Sequence, residues 1–221
     1  MTFSRLRALK ALYSLAMLVR DPNRLGEVFE VSDALATRES LMPIIDRISK
    51  DAIVARSFDE CHRLRIDIPR LRDLAPGTLG REFAEHMVAN NLDPSALPNL
   101  PSKDSFEYFR AHLYETHDVW HVATGFGTDL VGELGLQGFY LAQIPGPLPL
   151  MLVAIGFLRS AIYDGALTEP FMDALIRGYQ MGKASSPLFG VRWDALWEIP
   201  LEDVRRQLGL APSCTSVSLA A

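Results

Sequence analysis

The sequence predicts an all-α protein, a single helical domain over residues 1–210 with a buried apolar pocket, followed by a disordered tail at 211–221. Three observations predict it. Apolar residues recur at threes and fours along most of the chain, the spacing of a helix face. No run of strict alternation marks a strand, and no repeat of about 20–50 residues marks a solenoid. A chain of 221 residues is also long enough for one self-supporting core, burying roughly 70–75% of its unfolded surface.

Composition narrows the function classes. Apolar residues make up 48% and charged residues 22%, which excludes a disordered chain. Twenty-two basic against 27 acidic residues give a net charge of −5, which excludes a general nucleic-acid binder. Cys61 and Cys214 lie far apart with no metal-ligand spacing, so neither a zinc motif nor a disulfide framework is expected.

The elements follow in order. Met1–Arg24 carries Arg5, Arg7, Lys10, Arg20 and Arg24 with no acid before Asp21, and Leu6, Leu9, Leu12, Tyr13, Ala16 and Val19 form an apolar stripe. This is an amphipathic first helix of the domain, with contact to an anionic lipid surface as a second use. Asp21-Pro22-Asn23 ends it. Asp33–Ile53 and the segment following read as helical, with a stripe of Leu41, Ile44, Ile45, Ile48 and Ile53. Leu74–Thr78 is a turn, and Thr78 caps a helix over Leu79–Asn90. Asp93–Ser102 is a proline-bearing loop. A long helix starts near Ser102 or Asp104 and runs through His121. Gly125 and Gly127 interrupt it, and Thr128 or Asp129 caps the next, through Gln143.

Between Glu133 and Arg159 lies an uncharged stretch, from Leu134 to Leu158. Pro145, Gly146, Pro147 and Pro149 break it into Leu134–Ile144 and Leu150–Leu158, each too short to span a bilayer. Both halves are apolar nearly all round, so both are expected to be deeply buried. Glu169–Lys183 is a further helix, and Trp193–Leu208 holds one or two short ones.

Chemistry concentrates at Tyr114–His121. His117 and His121 are four apart, so their rings share one helix face, a spacing that suits bidentate metal binding. Asp118 stands about 100° round the helix, within reach of a metal edge or a ligand imidazole. Two imidazoles leave a metal under-coordinated, and Glu133 is the candidate that completes it. An unbroken helix would hold Glu133 roughly 18 Å from His121. The Thr124–Gly127 break folds the next helix back and closes that distance. The bland alternative is a solvated or hydrogen-bonded histidine pair. His62, His86 and His112 lack such companions and read as surface or satisfied core residues.

The pattern His117-Asp118-x-x-His121, eleven residues, then Glu133 resembles the signature of the fourth-numbered coenzyme Q (ubiquinone) biosynthesis protein family. Asp21-Pro22 with Arg24, Pro76–Gly80, and Trp193 with Pro200–Arg205 are similar to other parts of its pattern, so the resemblance covers about residues 8–210. It implies an all-α fold and a divalent metal ion held by His117, Asp118, His121 and Glu133, zinc foremost, with iron and magnesium as alternatives. It implies a peripheral membrane protein handling a polyprenylated ubiquinone precursor beside other ubiquinone biosynthesis proteins, and it admits a homodimer. A match beginning near Ala8 points to a bacterial-type, cytoplasmic member at the membrane surface; a eukaryotic one would lie on the matrix side of the mitochondrial inner membrane.

Two functions remain open at this point. One is an enzyme, a metal-dependent decarboxylase or C1-hydroxylase of a polyprenylated benzoate, using the metal as a Lewis acid or an iron site that activates dioxygen. The other is a prenyl-lipid-binding organiser. In both, the prenyl tail lies along the uncharged helices, with Phe139, Leu141 and Met151 as expected pocket lining.

Overall fold

A computed structural model describes residues 5–21, 24–94 and 100–210. The described residues form eleven α-helices, two short 3-10 turns and no strand. Helix α1 (Arg5–Arg20) pairs with α2 (Leu25–Leu35). Leu18 and Val19 of α1 meet Val31 of α2 and Ile155 in a small apolar cluster.

The stretch from Asp33 to Ile53 and the segment after it are helical as expected, divided among separate helices. Thr37 caps α3 (Arg38–Ile48) through a capping box with Ser40, and Asp51 caps α4 (Ala52–Glu60) by accepting from the Ile53 and Val54 N–H groups. These side chains satisfy backbone donors that a continuing helix would have to pair internally, and so start new helices. The expected stripe divides with them. Leu41 and Ile45 are buried, whereas Ile53 is 43% exposed.

Helix α5 (Ile68–Arg72) is short, and α6 (Leu79–Ala89) begins after Thr78 as expected. Its opening is secured differently from the expected cap. The Thr78 hydroxyl donates to the Ala75 carbonyl, while the Leu79 and Gly80 N–H groups donate to Ile199 and Trp197 carbonyls. The C-terminal segment thus completes the first turn of α6.

Helix α7 (Ser105–Thr124) runs through the centre of the core, with Tyr108, Phe109, Val119 and Trp120 almost wholly buried. Asp104 caps its start and Gly125, at φ 78°, ends it. Around it pack Phe83, Phe139, Phe189 and Trp193. His112 is a satisfied core residue, its Nε2 accepting from the Gly190 N–H and its Nδ1 3.3 Å from the Tyr108 hydroxyl. Burial pushes its pKa down to about 3, so it stays neutral.

Helix α8 (Leu130–Gln143) is capped by Asp129, which accepts from the Gly132 N–H. Its most extensive contact is with α10 (Thr168–Ala184). A Cβ on Gly178 would collide with the Gly135 carbonyl, and one on Gly182 would stand 2.8 Å from Ala142 Cβ. Small residues bring these two backbones together as they do in closely crossed helices.

Helix α9 (Pro147–Tyr163) corrects the expectation of deep burial. It begins on Pro147, where a missing N–H costs nothing, and continues past Leu158. Only Val153, Ile155 and Ser160 are buried, whereas Leu150, Leu158, Ile162 and Tyr163 are each more than half exposed. Helix α11 (Leu201–Leu208) closes the chain against α6 and α7. The expected tail at 211–221 lies outside the described residues.

Overpacking of this kind costs roughly 1–3 kcal/mol. Gly178→Ala is expected to lower the urea midpoint accordingly. Gly165→Ala, whose Cβ would meet nothing within 4 Å, should shift stability by less than about 0.5 kcal/mol. Equal midpoints for the two variants would contradict the close α8–α10 contact.

Candidate metal centre

The site is built where α7 ends and α8 begins. His117 and His121 face one way from α7, one turn apart, with their Nε2 atoms 3.2 Å from each other. The turn Gly125–Asp129 then sends the chain back. The Gly127 backbone lies where a Cβ on Gly132 would be, and the Phe126 ring lies where one on Gly135 would be. With two glycines on that face, α8 sits close against the turn and delivers Glu133 to the histidines. Glu133 Oε1 is 3.2 Å from His121 Nε2, and Oε2 is 3.9 Å from His117 Nε2.

Both rings are held from behind. His121 Nδ1 lies 3.0 Å from the Phe126 carbonyl oxygen, which accepts only, so this nitrogen carries the proton. His117 Nδ1 lies 3.3 Å from the Tyr140 hydroxyl, and the Tyr140 ring stacks on buried Trp120 at 4.5 Å. Arg205 of α11 donates to the Val122 and Ala123 carbonyls and so completes the end of α7.

This arrangement carries an electrostatic conflict. A neutral His121 protonated on Nδ1 presents a lone pair at Nε2, and that lone pair faces a carboxylate oxygen at 3.2 Å. Two acceptors converge, so a cation or a proton must lie between them. The electrostatics of the three groups follow from this geometry. Burial opposes charge on His121, but the Glu133 hydrogen bond and field outweigh it and hold its pKa above the ordinary value. Burial, reinforced by His121, holds His117 below its ordinary value. Burial alone would raise the Glu133 pKa, but the hydrogen bond from His121 and the nearby imidazoles lower it instead.

The donor set fits a metal ion. Ligands of a tetrahedral ion at about 2.0–2.1 Å stand roughly 3.3 Å apart, close to the 3.2 Å separations seen here. The ligand atoms of His117, His121 and Glu133 all lie within 4.8 Å of one another. Asp118 supplies none of them. It sits beside the cluster and acts on both histidines through its field. The His121 side chain is 1% exposed, whereas His117 and Glu133 are 35% and 39% exposed. The cluster therefore has a closed floor and an open side.

Two further residues belong to this neighbourhood that the sequence analysis did not single out. His86 arrives from α6, its ring stacked at 5.9 Å on His121, with its Nε2 buried and unpartnered. It lines an open cleft of about 420 Å³ with His121, Asn90 and Arg205. Tyr140 stands seven residues after Glu133, so the i, i+7 repeat of α8 was the signal that placed it on the same face. The expected lipid-pocket residues are not brought together. Phe139 belongs to the main core, Leu141 to a cluster around Leu134 and Phe171, and Met151 to the α1–α2–α9 cluster.

Fold and site together define an all-α protein with a candidate centre of two histidines and one glutamate. The chain belongs to the family described as Coenzyme Q (ubiquinone) biosynthesis protein Coq4, whose model matches residues 3–213. It is similar to the mitochondrial ubiquinone biosynthesis protein COQ4 homolog of Rattus norvegicus, at 26% identity over 76% of this chain and 64% of that protein. The human homolog is 23% identical over 92% of this chain and 78% of its own length. This chain thus spans just under two thirds of the rat relative. A crystal structure of a Nostoc punctiforme protein assigned to ubiquinone biosynthesis superposes with a TM-score of 0.80 at 29% identity, covering 91% of this chain and 97% of that one. Both curated relatives are named as mitochondrial. Among the described residues no helix is long and apolar enough to cross a membrane.

In metal-free protein, His121 is expected to take up its proton at higher pH than His117. Nitrogen-detected NMR of the imidazoles across a pH titration reads the order directly. The reverse order would contradict the Glu133–His121 pairing.

Proposed function

We propose that this protein acts in ubiquinone biosynthesis as a metal-dependent enzyme removing the C1 carboxylate of a polyprenylated hydroxybenzoate. The observation that supports this reading is the convergence of two imidazole nitrogens and a carboxylate on one point, open on one side. His117, His121 and Glu133 would hold a divalent ion, zinc by family resemblance, with Asp118 acting through its field. Such an ion supplies Lewis-acid charge for a ring carboxylate or phenolate.

The rest follows from the chain itself. Phe126 and Tyr140 fix the two imidazole planes, so little reorientation is needed when the site is filled. One glutamate against a divalent ion would leave the ligand set at plus one, offset in part by the Asp118 carboxylate beside it, a balance that would still admit an anionic benzoate at the open side. His117 and Glu133 form the accessible edge, and substrate enters there. Loss of carbon dioxide breaks the bond between C1 and the carboxylate carbon. Replacement by hydrogen then needs one proton, whereas replacement by hydroxyl needs either a peroxide, which gives one oxygen to C1 and leaves as water, or dioxygen together with a two-electron donor that takes its second oxygen to water. The second reading, an organiser that presents the prenylated ring to other ubiquinone biosynthesis proteins, draws on the same open edge without turnover.

Metal-loaded protein incubated with a C1-carboxylated prenylbenzoate is expected to release carbon dioxide. Binding without release would support the organiser. Glu133→Gln is expected to lower metal retention more than Asp118→Asn, because only Glu133 reaches the histidine nitrogens. Tyr140→Phe should weaken metal affinity by about 10–100-fold, the usual cost of removing an orienting partner. Elemental analysis of the purified variants checks all three, and equal metal loss from Glu133→Gln and Asp118→Asn would contradict the assignment.

A further inference from the structure

We infer that His86 is a positioning residue of the metal centre, fixing the His121 imidazole with its ring face and sealing it from the cleft on the α6 side. The inference deepens the metal-centre reading and rests on it for its purpose, while the packing itself stands without an ion. The His86 and His121 ring centroids are 5.9 Å apart and their planes differ by 22°. That lies inside the range of about 4.5–7 Å at which aromatic rings attract.

What His86 offers His121 is a surface rather than a nitrogen. Among the described residues its Nε2 has no partner, and its Nδ1 lies 3.5 Å from Asn90 Nδ2, the outer limit of a hydrogen bond. Nor does it belong to the three residues whose donor atoms converge. The His121 ring is therefore held in three ways. The Phe126 carbonyl fixes Nδ1 at 3.0 Å, the His117 ring meets it edge to face at 4.8 Å, and His86 covers a face. A hydrogen bond at one nitrogen leaves a ring free to tilt about that bond. A near-parallel neighbour removes the tilt, so Nε2 is aimed before an ion arrives.

His86 is itself held firmly. Phe83, Ala84 and Met87 anchor α6 in the core, each at most 1% exposed. Asn90, one turn on, donates to the His86 carbonyl at 2.8 Å, and its Oδ1 accepts from the Thr128 hydroxyl at 2.8 Å. Thr128 lies in the turn that sends α8 back with Glu133. The end of α6 is thereby tied to the same turn that sets the third ligand. The cleft of about 420 Å³ is lined by His86, Asn90, Phe126, Arg205 and His121, but not by His117 or Glu133. It therefore meets the centre only through His121, which stays 1% exposed beside it.

The test uses the full chain and two measurements. One is solvent exchange of the His121 Nδ1–H proton by NMR in metal-free protein; the other is zinc affinity by competition with a chelator. His86→Ala is expected to speed the exchange at least about tenfold and to weaken zinc binding about 3–10-fold, as loss of one aromatic pair implies. His86→Phe keeps the face without the nitrogens and should restore both. Met87→Ala, a core truncation on the same helix, should lower the urea midpoint yet leave exchange and zinc affinity unchanged, which separates positioning from stability. Asn90→Ala loosens the ring without opening a core cavity and should move both readings the same way as His86→Ala, so it decides the matter if that variant unfolds. Unchanged exchange in His86→Ala and Asn90→Ala would overturn the proposal, as would a His86→Phe variant that behaves like His86→Ala. Exchange is read without metal, so it judges His86 separately from the metal-centre reading, which zinc retention in His117→Ala would contradict.

Discussion

Helix α8 lies where it does because glycine stands at each point where a neighbour presses closest. Gly132 admits the backbone of the preceding turn, Gly135 admits the Phe126 ring, and Gly138 admits the Leu175 carbonyl of α10. Any side chain at these positions would push α8 outward, and Glu133 would move with it. The same helix carries Glu133 and Tyr140, so its placement sets both the third ligand and the partner of His117. Stability and site geometry therefore depend on one packing constraint.

That constraint creates an electrostatic demand. The Phe126 carbonyl fixes the proton of His121 on Nδ1, and α8 brings a carboxylate against the opposite nitrogen. Buried acceptors that converge without a donor are costly. A proton relieves the conflict in part, which is why His121 holds its proton above the ordinary value. A divalent cation relieves it more fully, because it also serves the His117 nitrogen. The three donors thus behave as a set prepared for a cation.

Much of this was legible in the sequence, for physical reasons. The i, i+4 histidines announce a shared face, and Gly125 and Gly127 mark the return that brings Glu133 back. The central helix and its caps at Asp104 and Asp129 follow from capping chemistry. What was missed needed tertiary information. A stripe from Leu41 to Ile53 reads as continuous because hydrophobic spacing does not register that Thr37 and Asp51 satisfy backbone donors and restart the helix. Helix α9 looks buried because it lacks charge, but lack of charge does not say how many of its faces find a packing neighbour, and Leu150, Leu158 and Ile162 stay exposed. His86 comes from a helix distant in sequence, so no spacing rule links it to His121. Asp118 is not among the three residues whose donor atoms converge, but its field reaches both histidines.

The central claim is that two imidazoles and one glutamate bind a single ion. X-ray absorption at the metal edge of zinc-loaded protein tests it most directly, since imidazole ligands leave a distinct multiple-scattering pattern. The account predicts two imidazole nitrogens and oxygen ligands at about 2.0–2.2 Å, with one imidazole lost in His117→Ala and the site emptied in Glu133→Ala. A spectrum without imidazole scattering, or one unchanged in both variants, would contradict it.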